Sequence, residues 1–327
     1  MKRSGNRAQL DLVETLSIQP IQPYSLELTT KKLTRFGTEW YWATPFEISR
    51  KGVMWAVSPL ESEDQLVGFK VFSEKNGGRQ MIKASIYLAP SHSEKERNSA
   101  KEIVLGCLNP YEDISKFYAM GKKHAYLKKA IIQMYGMRVC RFPTLFSAII
   151  MAVCLQRASY GRTEKMIKSL CIEYGINAHF DGVHVLSLPT AQRISETNIE
   201  ELKTRCKLGY RATFLLEAAQ TVWERGLPTL TDLNKMSFED ASSILTKLKG
   251  IGTYSAEVIC SHPAFPIDAW SSKRFGSLFG IFPSSREAGR NASERIKQYS
   301  ERQFGVWQRY CYEYLINSLE HTEELGK

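Results

Sequence analysis

Residues 23–92 differ from the rest of the chain in the spacing of their apolar positions. Here short runs alternate apolar and polar side chains and are rich in aromatic and β-branched residues, which is typical of half-buried strands. The predicted strands are Tyr24–Leu28, Trp40–Thr44, Val53–Val57, Gly68–Phe72 and Lys83–Leu88. Asn76-Gly77-Gly78 lies between two of them and favours a hairpin turn. The pattern predicts a small antiparallel sheet.

From Tyr111 onward the apolar positions follow helical spacing. The longest apolar run, Leu145–Leu155, is too short to cross a membrane and predicts a buried core helix. Residues Lys95–Lys101 are predicted to lie in the first helix that crosses from the sheet, or in the segment that leads into that helix. We therefore predict an α+β protein with an N-terminal sheet domain over residues 1–112 and a helical part over residues 113–327.

The charge balance favours a polyanionic partner. The 327 residues include 44 Lys and Arg against 34 Asp and Glu, a formal net charge of +10. Lysine and arginine at a phosphate backbone release counterions, so such a chain suits nucleic acid. A generic basic enzyme would have the same balance, and charge alone does not separate the two.

The cysteines and the N-terminus indicate an intracellular protein. The seven cysteines are dispersed and embedded in apolar helical pattern, which is typical of buried thiols in a reducing compartment. The first sixteen residues carry early charge without an apolar signal run. We expect neither secretion nor a membrane span, and place the protein in the cytoplasm or nucleoid of a prokaryote or the nucleus of a eukaryote.

A glycine hairpin is the first candidate for function. Gly250 and Gly252 flank Ile251, and glycines at this spacing allow a sharp turn that exposes main-chain amides. The following Thr253–Cys260 has helical spacing, and a turn that opens a helix directs unpaired N–H groups outward, where they can bind phosphate. Most isolated Gly-x-Gly pairs are helix caps or tight turns.

Asp268 lies 16 residues beyond Gly252, after Pro263 and Pro266 have ended the helix. Taken alone, this aspartate is better explained as the N-cap of a helix that continues through Trp270 than as a catalytic residue. A catalytic role for Asp268 therefore depends on the surrounding motif.

The motif resembles that of the helix-hairpin-helix DNA glycosylases. Leu248-Lys-Gly-Ile-Gly252, then Phe265-Pro-Ile-Asp268-Ala-Trp270, then Arg274 occur in the order of that superfamily's hairpin, catalytic aspartate and following basic residue. Other matching segments extend the resemblance over residues 113–318: Phe142–Ile150, Met166–Cys171, Leu208-Gly-Tyr-Arg-Ala212, Ser237–Leu248 and Trp307–Leu315. The chain is similar both to 3-methyladenine glycosylases of type II and to 8-oxoguanine glycosylases.

The resemblance implies a fold and a reaction. The helical part over residues 113–327 should be an all-α core of two lobes with the active cleft between them. The substrate should be double-stranded DNA whose damaged nucleotide is flipped into a pocket. Asp268 should stabilise the oxocarbenium-like sugar and orient or deprotonate the attacking water. We expect a monomer.

Tyr254 separates two mechanisms. Superfamily members that also cut the backbone carry a Schiff-base lysine two residues after the second hairpin glycine, and here that residue is Tyr254. The sequence therefore predicts a monofunctional enzyme that removes alkylated purines and leaves an abasic site. Lys247 and Lys249 precede the hairpin and are better placed to meet phosphate.

The remaining site residues follow from the same resemblance. Aromatic faces hold cationic alkylated bases by stacking and cation–π attraction. The candidates for the base pocket are Tyr254, Trp270, Trp40, Trp42 and Trp307. The candidates for DNA contact are Lys249, Gly250, Ile251, Gly252, Thr253, Arg274, Gln156 and Arg157, the last two where relatives fill the gap left by the flipped base. The plainer interpretations are sheet packing for Trp40 and Trp42 and a surface turn for Gln156 and Arg157.

Two departures from the superfamily stand out. The link between hairpin and aspartate is about one helical turn short, which leaves Glu257 as a fallback carboxylate, although an exposed helix glutamate is ordinarily only solvated. The chain has no C-x-x-C pair and lacks the four-cysteine loop of some relatives, so we expect no iron–sulfur cluster, metal or other cofactor. Two alternatives stay open: a non-catalytic helix-hairpin-helix DNA-binding protein, and a bifunctional 8-oxoguanine glycosylase/lyase.

Overall fold

An antiparallel sheet is followed by a long helical part. The computed structural model describes residues 7–30, 48–50, 52–61, 65–77, 79–260, 265–267, 269–281 and 288–325. The strands are β1 (Arg7–Gln9), β2 (Asp11–Ile18), β3 (Ile48–Arg50), β4 (Val53–Pro59), β5 (Leu66–Asn76), β6 (Arg79–Leu88), β7 (Asn177–Phe180) and β8 (Val183–Leu186).

The helices begin with a single short turn inside the sheet region and dominate from residue 94 onward. They are α1 (Leu26–Thr30), α2 (Glu94–Leu108), α3 (Ser115–Gly121), α4 (Ala125–Gln133), α5 (Leu145–Leu155), α6 (Tyr160–Tyr174), α7 (Ala191–Ser195), α8 (Ile199–Thr204), α9 (Arg211–Gln220), α10 (Leu230–Lys235), α11 (Phe238–Leu245), α12 (Thr253–Ile259), α13 (Ala269–Phe279), α14 (Ala288–Phe304) and α15 (Gln308–Leu325). In the part of the chain that the structure describes, no helix combines the length and hydropathy needed to span a bilayer.

The predicted antiparallel sheet is confirmed. Its five strands lie in the order β2-β6-β5-β4-β3, and each neighbouring pair is antiparallel. The strands predicted within Val53–Val57, Gly68–Phe72 and Lys83–Leu88 are β4, β5 and β6. Asn76 ends β5 at the predicted hairpin, where Gly77 has a φ of 57°. α2, which contains Lys95–Lys101, packs against β6 and closes the core of the sheet.

One predicted strand is wrong and another lies outside the described residues. Tyr24–Leu28 does not form a strand, because the chain turns into α1 there. The Ser25 hydroxyl accepts a hydrogen bond from Leu28 N at 3.2 Å, and the helix buries Leu26, Thr29 and Thr30 at helical spacing. The run Trp40–Thr44 falls in residues that the structure does not describe.

A second, smaller sheet was not predicted. β7 and β8 form a hairpin within the helical part, and β1 pairs with β7 in parallel. The hairpin turn is Asp181-Gly182, whose φ values of 49° and 73° are both left-handed. Because β1 comes from the N-terminus, this sheet ties the first residues of the chain to the helical part.

The helical part has two hydrophobic cores, which define the two predicted lobes. Lobe 1 comprises α5–α12, whose core residues run from Leu145 to Cys260. Lobe 2 comprises α3, α4 and α13–α15, whose core combines residues 114–139 with residues 265–316. α5 coincides with the predicted buried helix, and ten of its eleven residues are buried. All seven cysteines are free and buried, as expected.

Glu61 joins the sheet to lobe 1. It follows β4, and its Oε1 accepts hydrogen bonds from Leu145 N at 2.9 Å and Leu230 N at 3.2 Å. These two amides open α5 and α10, where helices lack internal acceptors. Burial raises the pKa of the Glu61 carboxyl, while the two amides lower it. One carboxylate oxygen therefore caps two helices at the junction.

Replacing Glu61 by alanine is expected to destabilise this junction. Each amide left without its acceptor costs about 1–3 kcal/mol, so Glu61→Ala should lower the urea midpoint of unfolding. Glu61→Gln keeps an acceptor oxygen and should lose less. Equal midpoints for Glu61→Ala and the wild type would remove Glu61 from this role.

Candidate DNA-binding and active site

The hairpin between α11 and α12 has the geometry that the two glycines predict. Ser237 caps α11 by accepting from Asp240 N at 3.1 Å. At the turn, Ile251 N donates to Leu248 O at 3.0 Å. Gly250 has a φ of 81°, and a Cβ there would lie 2.3 Å from the ring of Phe214. Gly250 is therefore required by the fold itself.

Gly252 has a different role. Its φ of −100° and ψ of −178° are open to any residue, and a Cβ there would meet no atom within 4 Å. It is exposed and is the N-cap of α12, with no side-chain cap. The first amides of α12 lack intrahelical acceptors. Gly252 therefore leaves the helix start open to an incoming group without being required for folding.

The variant Gly252→Val tests whether the exposed start of α12 binds DNA. The variant should fold normally and bind lesion and undamaged duplexes about tenfold more weakly, the scale of one lost hydrogen bond to a charged group. Fluorescence anisotropy with both duplexes would measure the effect. Gly106→Val, on α2, is the matched control, since its Cβ would meet only the Arg141 side chain at 3.9 Å. A change confined to the lesion duplex would assign Gly252 to the base pocket instead.

Gln156 is attached to the hairpin. It is the C-cap of α5, and its Nε2 donates to Gly250 O at 2.6 Å. Its main-chain oxygen accepts from the buried guanidinium of Arg211, with the Nε contact at 3.1 Å. In this structure the Gln156 side chain therefore fixes the turn, whereas Arg157 is exposed with a φ of 44°. Of the two predicted gap-filling residues, Arg157 has the accessible side chain.

The other predicted DNA contacts vary in accessibility. Lys249 is exposed and forms an ion pair of 2.9 Å with Glu217 on α9. Thr253 is exposed at the start of α12. The Ile251 side chain is buried in the core of lobe 1, so only its main chain is available. Arg274 is half-buried on α13.

The predicted pocket residues lie in three different settings. Tyr254 is half-buried on α12 and packs against the core of lobe 1. Trp307 packs into lobe 2, with its ring 6.0 Å from Phe117 and 5.6 Å from Tyr310. Trp270 belongs to α13. Trp40 and Trp42 lie outside the described residues.

The link from α12 to α13 frames Asp268, which itself lies outside the described residues. α12 ends at Ile259, before Pro263, as predicted. Ile267 is buried in lobe 2, and α13 begins at Ala269. The first residue of α13 therefore directly follows Asp268 in the sequence.

Glu257 differs from the expectation of a solvated helix glutamate. It is only 7% exposed, and its Oε1 lies 2.6 Å from Lys297 Nζ on α14. Its main-chain oxygen accepts from Arg309 Nη1 on α15 at 3.2 Å. No local pattern predicts this burial, because the partners come from helices 40 and 52 residues further along the chain.

No protein-family model matches the chain. Its fold is that of a 3-methyladenine DNA-glycosylase from Archaeoglobus fulgidus: the TM-score is 0.72 at 21% identity, covering 92% of this chain and 97% of the other. The fold class that the hairpin motif implied, a small antiparallel sheet followed by a two-lobed helical core, is thereby confirmed.

Two curated relatives match by sequence. A DNA-3-methyladenine glycosylase of Bacillus subtilis is 27% identical over 164 residues, which are 48% of this chain and only 53% of that protein. A probable N-glycosylase/DNA lyase of Methanothermobacter thermautotrophicus is 24% identical over 240 residues, 66% of this chain and 73% of that protein. The resemblance to DNA glycosylases of the helix-hairpin-helix type is thereby confirmed.

Proposed function

We propose that this protein is a monofunctional DNA N-glycosylase that removes a damaged base, an alkylated purine, from duplex DNA. The observation that carries the proposal is the order of the hairpin, α12 and α13 along the chain. An exposed helix start at Gly252 is followed by α13, which begins directly after Asp268. The B. subtilis relative, named for 3-methyladenine, supports the choice of substrate class.

In the proposed reaction, the exposed amides at Gly252 and Thr253 bind a phosphate near the lesion, and Lys249 exchanges Glu217 for a phosphate. Arg157 occupies the space left by the flipped nucleotide. The base enters between the two lobes, where Tyr254 and the candidate tryptophans offer aromatic faces. We assign this chemistry to residues 113–327, with residues 1–112 as an N-terminal domain and the protein acting as a monomer inside the cell.

The chemical step breaks the N-glycosidic bond, and its electron pair leaves with the base. An alkylated cationic purine departs as a neutral base, so it needs no proton from an acid. Asp268 stabilises the positive charge that develops on the sugar, and it accepts a proton from the water that attacks C1′. The products are a free base and an abasic site in an unbroken strand.

A panel of duplexes, each carrying one alkylated, oxidised or deaminated base, tests the proposal. We expect chromatography to detect a free alkylated purine and strand cleavage only after alkali. Release of an oxidised purine together with direct strand cleavage would favour the bifunctional alternative, which the name of the archaeal relative supports. Binding without release of any base would favour the non-catalytic alternative.

A further inference from the structure

A polar bridge that is buried at Glu257 and 30% exposed at Lys297 connects the two lobes at α12. Glu257 lies on a lobe 1 helix, and both of its partners come from lobe 2: Lys297 from α14 and Arg309 from α15. Its neighbours Ala256, Val258 and Ile259 belong to the core of lobe 1. The helix therefore packs one side into lobe 1 and presents Glu257 to lobe 2.

Arg309 holds the C-terminal end of the same helix. Glu257 lies in the last turn of α12, where main-chain carbonyls lack donors within the helix. Arg309 Nη1 donates to the Glu257 carbonyl at 3.2 Å, while its Nε lies 3.3 Å from Glu313 Oε1. Lobe 2 thus contacts both the side chain and the main chain of Glu257.

The ion pair between Glu257 and Lys297 is not arranged to stabilise the fold. Glu257 Oε2 is buried and has no hydrogen-bond partner among the described residues. Buried ion pairs stabilise a fold only when their remaining polar atoms are satisfied, and an apolar replacement of both partners is often neutral or stabilising. An incompletely satisfied pair that joins two lobes points to a constraint other than stability.

The position of the bridge suggests that constraint. Tyr254 precedes Glu257 by three residues, so the two lie on neighbouring positions of one face of α12. The other end of α12 leads through residues 260–267 to Asp268 and α13. The bridge therefore fixes the helix that carries Tyr254 relative to lobe 2, to which α13 belongs.

We propose that Glu257 and Lys297 are positioning residues for base excision: their ion pair fixes α12, which carries Tyr254, against α14 of lobe 2. This inference rests on the proposed function. It assigns no contact with substrate to either residue, since each acts through the placement of α12.

The double variant Glu257→Met with Lys297→Met tests the inference without leaving a lone buried charge. We expect its unfolding midpoint to equal or exceed that of the wild type. Its affinity for undamaged duplex should stay within about twofold. Single-turnover base release should fall about 10- to 100-fold, the scale of a misplaced reacting group. Lys297→Arg, which keeps the ion pair, should recover most of the rate.

A second ion pair of the same length provides the control. Glu164 and Lys168 are also 2.6 Å apart but lie exposed on α6, and their double methionine variant should release base at the wild-type rate. Base release unchanged in the Glu257 and Lys297 variant would overturn the inference. The inference would also be overturned if the double variant released base more slowly only because it had a lower unfolding midpoint, and if Lys297→Arg did not restore the rate of base release. If the wild type releases no base from any lesion duplex, the proposed function fails and this inference fails with it.

Discussion

Asp268→Asn is expected to lower single-turnover base release by at least about two orders of magnitude, the contribution of a lost electrostatic or acid–base group. The amide cannot balance the charge that develops on the sugar, and it cannot take a proton from water. Binding to duplex DNA should be retained or become tighter, because a negative charge near phosphate has been removed. The two readouts therefore separate chemistry from recognition.

Glu239→Gln is the matched control for this variant. Glu239 is an exposed acid in the first turn of α11, and its neutralisation removes one negative charge from the helical part, as Asp268→Asn does. It should leave the rate of base release within about twofold of the wild type. Near-normal base release by Asp268→Asn would contradict the catalytic assignment. Asp268 would then be a helix cap, and Glu257 would be the next candidate for the catalytic carboxylate.

Tyr254→Lys is expected to create a new covalent chemistry. The wild type should give no complex that borohydride can trap, because no amine is present at this position. In the variant the lysine would lie half-buried one residue after the exposed helix start. Partial burial lowers the pKa of an amine and favours the neutral, nucleophilic form. Weak trapping on lesion DNA should therefore appear, with slower overall base release because an aromatic contact is lost.

Thr253→Lys separates position from the mere addition of an amine. Thr253 is the exposed first residue of α12. The lysine of Thr253→Lys should therefore give no trapped complex on the same duplex. Robust trapping by the unaltered protein would contradict the monofunctional assignment. Absence of trapping in Tyr254→Lys alone would show that the short link holds the sugar away from this residue.

Several elements could be predicted because their signals were local and unambiguous. The apolar run of α5, interrupted only by Ser147, predicted a buried helix, and the two glycines predicted the hairpin turn. Gly250 shows why such a signal is reliable: its left-handed φ and its contact with Phe214 exclude a side chain. Ser237 similarly marked the start of α11.

Other elements failed or were missed for physical reasons. Leu26, Thr29 and Thr30 fit helical spacing, but a five-residue helix is too short to outweigh the strand-like alternation of Tyr24–Leu28. The β7–β8 hairpin did carry a signal, since Asp181-Gly182 lies between alternating runs. The burial of Glu257 had none, because its environment is created by helices distant in sequence.

The most direct test of the proposed glycosylase activity is the product analysis of one duplex carrying a single alkylated purine. We predict that the wild-type protein releases the free alkylated base, detected by mass spectrometry, while the lesion strand stays full length on a denaturing gel until alkali is added. The proposed monofunctional activity would be contradicted if the lesion strand were bound but kept its base, or if it were cleaved without alkali.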